Sequence, residues 1–125
     1  MASIGADIEQ ISRIQRALAR TPRFAQRVFT AGEQAYCDGK AHPAQHYAAR
    51  FCAKEAFVKA LGESSFSWQE VEVTRGDSGQ PSLNATGKAA EALAGRVAQV
   101  SLSHAGDYAM AVVLIGTADD ADNNR

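Results

Sequence analysis

The stretch Arg50-Phe51-Cys52-Ala53-Lys54-Glu55-Ala56-Phe57-Val58-Lys59-Ala60-Leu61-Gly62 decides how the chain is read. Nothing between Pro43 and Gly62 breaks a helix, alanine is plentiful, and Gly62 stands where a left-handed terminal cap is usual. The spacing therefore predicts that these residues form the second half of the longest helix. At about 100° per residue, Tyr47, Phe51, Val58 and Leu61 fall into an apolar arc. Glu55 and Lys59 flank one side of it, and Arg50 and Lys54 flank the other. Ala49, Ala53, Ala56 and Ala60 fill much of the remaining surface, where small side chains let another backbone approach closely. A carboxylate and three cations on the margins of a packed helix are costly to desolvate. They either snorkel to solvent or gather around an ionic ligand.

Outward from this helix, size and composition set bounds. A chain of 125 residues makes one domain, small for an enclosed site, so a site shared between subunits is expected. The hydrophobic share of 46% and charged share of 22% are those of a water-soluble globular domain, and no apolar run is long enough to cross a membrane. Met1 to Gly5 is too short, and too soon followed by Asp7 and Glu9, for a secretory signal, which points to the cytoplasm. Cys37 and Cys52 fit no metal or redox spacing and read as free thiols. The net charge of −1 argues against a nucleic-acid binder. It also averages over an asymmetry. Between Glu9 and Glu33 there is no acidic residue, while Arg13, Arg16, Arg20, Arg23 and Arg27 all fall there. A solvated face normally mixes signs, so a run of one sign implies an acidic partner.

Along the chain, Ser3 to Ile8 is a strand candidate in which Gly5 permits close approach of another backbone. Asp7 sits where strand should yield to helix and is a candidate cap. In the helix after it, Ile8, Ile11, Ile14 and Leu18 share one side and Arg13, Arg16 and Arg20 face nearly opposite. Thr21-Pro22 opens a second short helix carrying Arg23 and Arg27. Thr30 to Glu33 opens a third, ending near Asp38-Gly39. After Gly62 the pattern turns extended: Val71 and Val73 alternate with Glu72 and Thr74, Gly76-Asp77-Ser78-Gly79 signals a hairpin, and Pro81 to Ala85 returns. Thr86 is a candidate cap for a helix over 87–94. Gln99 to Ser103 and the strongly apolar Tyr108 to Ile115 are strands, the latter central to its sheet. The expected architecture is α+β, with one long central helix and several short helices packed on a small, mainly antiparallel sheet. It forms a single domain over 1–116, followed by a polar tail over 117–125 that carries Asp119, Asp120 and Asp122.

For chemistry, Asp7 and Glu55 are the best candidate metal pair. Two carboxylates without a nearby His or Cys suit a hard, oxygen-loving ion such as Mg²⁺, which keeps waters and accepts phosphate oxygens. Arg50, Lys54 and Lys59 would neutralise remaining phosphate charge. Capping of a helix by Asp7 and an (i, i+4) pair of Glu55 with Lys59 account for the same residues without a ligand. Ser101-Leu102-Ser103-His104 lacks the Gly-x-Ser-x-Gly elbow of serine hydrolases, and a histidine at a strand end is by default a surface or turn residue. No Walker loop and no dinucleotide fingerprint occur.

Four ordered motifs carry a resemblance. Ile4-Gly5-Ala6-Asp7-Ile8-Glu9-Gln10-Ile11-Ser12-Arg13 resembles the Gly-x-Asp-x5-Arg signature of the holo-[acyl-carrier-protein] synthases, the small 4′-phosphopantetheinyl transferases. Arg50 to Gly62 is similar to that family's second signature, Arg-[Phe/Trp]-Ala-x-Lys-Glu-Ala-x-x-Lys-Ala-x-Gly. Arg27-Val28-Phe29-Thr30 with Glu33 matches a third motif, and Val100 to His104 followed by Tyr108-Ala109 matches the closing strands. Together they span Ser3 to Ile115. The resemblance implies transfer of phosphopantetheine from coenzyme A to a serine of apo acyl carrier protein, with release of adenosine 3′,5′-bisphosphate. It places Asp7 and Glu55 on the Mg²⁺ ligands, Lys59 on a phosphate-contacting lysine, and Arg50, Lys54 and His104 at the coenzyme A site or its rim. It further implies catalytic roles for Asp7, Glu55 and Lys59, a homotrimer with sites between subunits, and docking of the carrier's acidic helix on the five arginines. After Gly62, where the family commonly has Gly-Thr-Gly-Ile, this chain has Glu63-Ser64-Ser65-Phe66 in a shorter connection. A non-catalytic module binding an acidic helix, or a different nucleotide-dependent phosphotransferase, are the competing readings.

Overall fold

The computed structural model describes residues 2–119. In chain order the elements are β1 (Ser3–Gln10), α1 (Ile11–Arg20), α2 (Pro22–Val28), α3 (Ala31–Asp38), α4 (Pro43–Leu61), a 3₁₀ turn (Trp68–Glu70), β2 (Val71–Arg75), β3 (Pro81–Ala85), α5 (Gly87–Leu93), β4 (Val97–Ala105) and β5 (Tyr108–Gly116). The class is α+β, as expected. β5 lies between β1 and β4, antiparallel to both, and β2 pairs with β3 in a separate antiparallel hairpin. The apolar Tyr108 to Ile115 segment thus does form the central strand, with Ala109, Ala111, Val113 and Ile115 buried on one face.

Helix α4 runs the length its breakers allow, from Pro43 at its first turn to Gly62, whose φ of 82° closes it in the left-handed region. It lies across the three-stranded sheet. Its buried side is not the arc expected from the larger side chains: Tyr47 is buried, but Phe51, Val58 and Leu61 are only partly so. The inner strip is made of Ala48, Ala49, Cys52, Ala53, Ala56, Phe57 and Ala60. Their size sets the spacing. At Gly5 of β1, an added Cβ would stand 2.1 Å from the Ala56 carbonyl oxygen and 2.6 Å from the Ala60 nitrogen, so strand and helix meet backbone to backbone.

Capping differs from the sequence expectation at three places. β1 continues to Gln10, so Asp7 lies within a strand and caps no helix. The amides at the start of α1 are taken by Asp107 from the β4–β5 turn: Ile11 N donates to its carbonyl oxygen at 2.7 Å and Ser12 N to Oδ1 at 3.0 Å. Thr21 and Thr86 precede their helices but make no side-chain cap bond. At α5, Glu70 Oε2 accepts from Ala89 N at 3.1 Å instead. Thr30 and Glu33 do form the reciprocal capping box at α3. Cys37 and Cys52 are free and buried. Asp120 and Asp122 of the polar tail lie outside the described residues.

Candidate active site

β1 inverts the usual binary pattern. Its alternation turns Gly5, Asp7 and Glu9 toward α4, while Ile4, Ala6 and Ile8 face the open side of the sheet. Ile8 was expected beside Ile11 and Ile14. It is 63% exposed, because it belongs to the strand and not to the helix. The close contact at Gly5 brings Asp7, one strand repeat further on, beside the Glu55–Lys59 side of α4. Asp7 Oδ1 accepts from Lys59 Nζ at 3.0 Å, and the same ammonium donates to the Ala6 carbonyl at 3.0 Å. Asp7 Oδ2 is buried without any hydrogen-bond partner.

The surrounding charges show what that oxygen lacks. Burial raises the pKa of Glu55 above 4.5, the charge of Asp7 adds to the rise, and Lys59 opposes it. Glu9 is raised in the same way, by burial first and then by the charge of Asp7, with Arg13 opposing. Lys59 is raised, chiefly by its hydrogen bond to Asp7. Three carboxylates therefore share a space served closely by one ammonium. Among the described residues no group of three or more His, Cys, Asp and Glu side chains has the arrangement of a metal site. Asp7 on β1 and Glu55 on α4 form the candidate donor set. A hard divalent cation that keeps most of its waters fits such a set, and would satisfy the orphaned Oδ2. Glu9 was not singled out from the sequence, although its position two residues after Asp7 on a strand puts it on the same face.

Further along α4 the cations separate. Lys54 is 1% exposed; Nζ is 2.7 Å from Glu33 Oε1 and donates to the carbonyls of Val28 at 2.8 Å and Trp68 at 3.0 Å. Burial pushes its pKa down, and Glu33 pulls it back. Glu33 Oε2 in turn accepts from Val73 N at 2.8 Å, so the pair joins α3, α4 and β2. Its ammonium protons are directed at Glu33 and the two carbonyls.

Arg50 is also 1% exposed, but no carboxylate among the described residues is within ion-pair distance of it. Nη1 reaches the His46 carbonyl at 3.4 Å and Nε has no partner. The guanidinium lies 4.2 Å from the Tyr36 ring centroid, and Lys40 Nζ lies 4.6 Å from the same centroid. The pKa of His46 is depressed, first by burial and then by Arg50, Lys40, Arg75 and His104. His104, exposed near the end of β4, has Nε2 3.0 Å from Gln45 Nε2 and so stands at this end of α4 with Arg50. Arg13, Arg16, Arg20, Arg23 and Arg27 are all exposed, on α1 and α2.

The family model of the 4′-phosphopantetheinyl transferase superfamily matches residues 3–113. The holo-[acyl-carrier-protein] synthase of Geobacter metallireducens is 47% identical over 118 residues, covering 89% of this chain and 94% of that protein. That of Moorella thermoacetica is 44% identical over 120 residues, covering 92% and 94%. Among solved structures, the Chronobacterium ammoniagenes ACPS–CoA complex superposes with a TM-score of 0.84 at 27% identity, covering 94% of this chain and 98% of that one. The Helicobacter pylori synthase in complex with coenzyme A gives 0.81 at 26% identity, covering 90% and 99%. With the four motifs and the α4–β1 geometry, these matches show that the chain belongs to the 4′-phosphopantetheinyl transferase superfamily, within its holo-[acyl-carrier-protein] synthases.

Proposed function

We propose that this enzyme transfers 4′-phosphopantetheine from coenzyme A to a serine of apo acyl carrier protein in a Mg²⁺-dependent reaction, releasing adenosine 3′,5′-bisphosphate. The observation that carries the reading is the buried, unpartnered Oδ2 of Asp7 beside a carboxylate, Glu55, whose pKa is raised. When bound there, Mg²⁺ supplies Lewis-acid stabilisation of charge on the pyrophosphate. Asp7 and Glu55 would hold it. Lys59, half-exposed and tied to Asp7, places a positive charge at the same spot for the phosphate oxygens.

The carrier serine attacks the phosphorus bearing the pantetheine arm. Its new P–O bond forms as the bond to the departing adenosine bisphosphate breaks, and the leaving group takes the electron pair. Glu55 or a water molecule receives the serine proton. Arg50 and His104 serve coenzyme A at the other end of α4. The five outward arginines form the docking surface for the carrier's acidic helix.

The open face of the β1-β5-β4 sheet supports assembly as a homotrimer with sites between subunits. Ile4 is 67% exposed there, Ile8 63%, Tyr108 50% and Met110 40%, an apolar patch of the kind another copy of the chain covers. Ile4→Asp with Ile8→Asp should then sediment as monomer. The cytoplasm is the expected compartment; no described helix is long and apolar enough to cross a membrane.

The test is to incubate the protein with apo carrier, coenzyme A and Mg²⁺ and to weigh the carrier by mass spectrometry. A gain of the phosphopantetheine mass is expected, lost on chelation and in Asp7→Ala and Glu55→Ala with the fold retained. An unmodified carrier would support the non-catalytic module instead, and activity in either variant would remove that residue from the metal set.

A further inference from the structure

Helix α1 follows β1 without a connecting residue, since the strand ends at Gln10 and the helix begins at Ile11. The first amides of a helix need acceptors, yet Gln10 makes no side-chain cap bond and the first turn holds no acidic residue. Asp107 supplies the acceptors from far along the chain. Its carbonyl takes the Ile11 amide at 2.7 Å, Oδ1 the Ser12 amide at 3.0 Å, and Oδ2 the Ser12 hydroxyl at 2.6 Å. Asp107 is itself firmly placed, in a two-residue turn whose flanking residues Ala105 and Tyr108 pair across β4 and β5, with Gly106 at a φ of 57°. Tyr108 also pairs with Gln10, so the bonds of Asp107 carry the β1–β5 ladder on into the first turn of the helix. The hydrophobic hold on α1 is slight by comparison: Ile14 is its one buried residue, and Ile11 and Leu18 are partly buried.

We propose that Asp107 is a positioning residue for the acidic carrier, its side chain fixing the start of α1, and with it Arg13 and Arg16, against the strand that carries Asp7. The inference rests on the carrier-docking reading above and adds to it a side chain that lies on neither the arginine surface nor the candidate metal pair. Arg13 belongs to the turn so fixed and Arg16 to the next one. The carboxylate acts here as a hydrogen-bond acceptor, so asparagine, which keeps an oxygen for the Ser12 amide, should replace it. Without an acceptor the first turn of α1 loosens. The arginines then remain in the chain but no longer hold one placement relative to Asp7 and Glu55, and the carrier binds less well. The bond from Ile11 to the Asp107 carbonyl and the Ala105–Tyr108 pairing belong to the backbone and survive the change, so the turn beside His104, and with it coenzyme A binding, is left as it was.

The test compares wild type, Asp107→Asn and Asp107→Ala in steady-state transfer, with thermal unfolding of each as a control for folding and hydrogen exchange over residues 11–20 as a direct reading of α1. In Asp107→Ala the KM for the carrier should rise about fivefold, the factor that one lost helix cap makes in the population of an ordered first turn, while the KM for coenzyme A stays within about twofold. Exchange at the start of α1 should quicken in the same variant. Asp107→Asn should match wild type in all of these. An unchanged carrier KM or unchanged exchange in Asp107→Ala, an equal rise in Asp107→Asn, or an equal rise in the KM for coenzyme A would overturn the positioning role. If wild type shows no transfer, the reaction reading fails separately, and calorimetry with apo carrier decides. Binding that is equal in wild type and Asp107→Asn and about fivefold weaker in Asp107→Ala supports the role. Equal affinity in all three, or no binding to any, refutes it.

Discussion

Replacing Lys54 with methionine separates two roles for this lysine, as an interior ion-pair partner or as a coenzyme A ligand. Methionine keeps the length and the apolar stem, and it removes the ammonium that sits 2.7 Å from Glu33. Glu33, whose side chain is 0% exposed, then keeps its bonds from Thr30 N and Val73 N but loses its counter-charge. Stranding one partner of a buried pair costs about 3–5 kcal/mol. Against a total stability of about 5–15 kcal/mol, that is a large share. With a urea slope of about 2 kcal/mol per molar, the unfolding midpoint should fall by about 2 M. The assay is equilibrium urea unfolding at fixed protein concentration, since association contributes to stability in any oligomer. The double variant Lys54→Met with Glu33→Gln removes both charges and should recover at least about 1 kcal/mol of the loss through their coupling. A drop below about 1 kcal/mol in the single variant would refute the reasoning. Unaltered stability with a raised KM for coenzyme A would return Lys54 to the ligand set that the family resemblance implies.

Gly5→Ala places a Cβ 2.1 Å from the Ala56 carbonyl oxygen and should push β1 off α4; the expected loss is about 1–3 kcal/mol of stability, with a matching fall in activity as Asp7 leaves Lys59. Wild-type activity in that variant would show that the site tolerates the shift. Charge reversal at Arg16 or Arg20 should raise the KM for the carrier in a manner that fades with added salt and leave the KM for coenzyme A alone. An unchanged carrier KM would count against the docking surface. Glu70 has its pKa lowered below 4.5, chiefly by the amide of Ala89. Its contribution is thus complete above 4.5 and lost as pH falls through the folded value, because the unfolded chain takes the proton first. Glu70→Gln should therefore be less stable than wild type at neutral pH, with the gap closing in acid, and a gap constant from neutral pH into acid would refute this.

Local chemistry made most of the elements legible. Proline and glycine bound α4, the Gly76 to Gly79 turn joins β2 to β3, Thr30 and Glu33 box the start of α3, and the apolar run of β5 marks the centre of the sheet. Each depends on residues within a few positions of one another, and so on the chain alone. The motifs around Asp7 and Glu55 likewise carried the family. What a helical wheel did not reveal was the direction of burial in α4. A large side chain marks an apolar face only when the partner stands off, and here glycine and alanine let the β1 backbone fill that space. The inward turn of Asp7 and Glu9, the outward turn of Ile4 and Ile8, the meeting of Glu33 with Lys54, and the contact of Lys40 and Arg50 with the Tyr36 ring were decided by tertiary structure. Periodicity fixes angles within one element, whereas a charge finds its partner only when packing brings distant segments together.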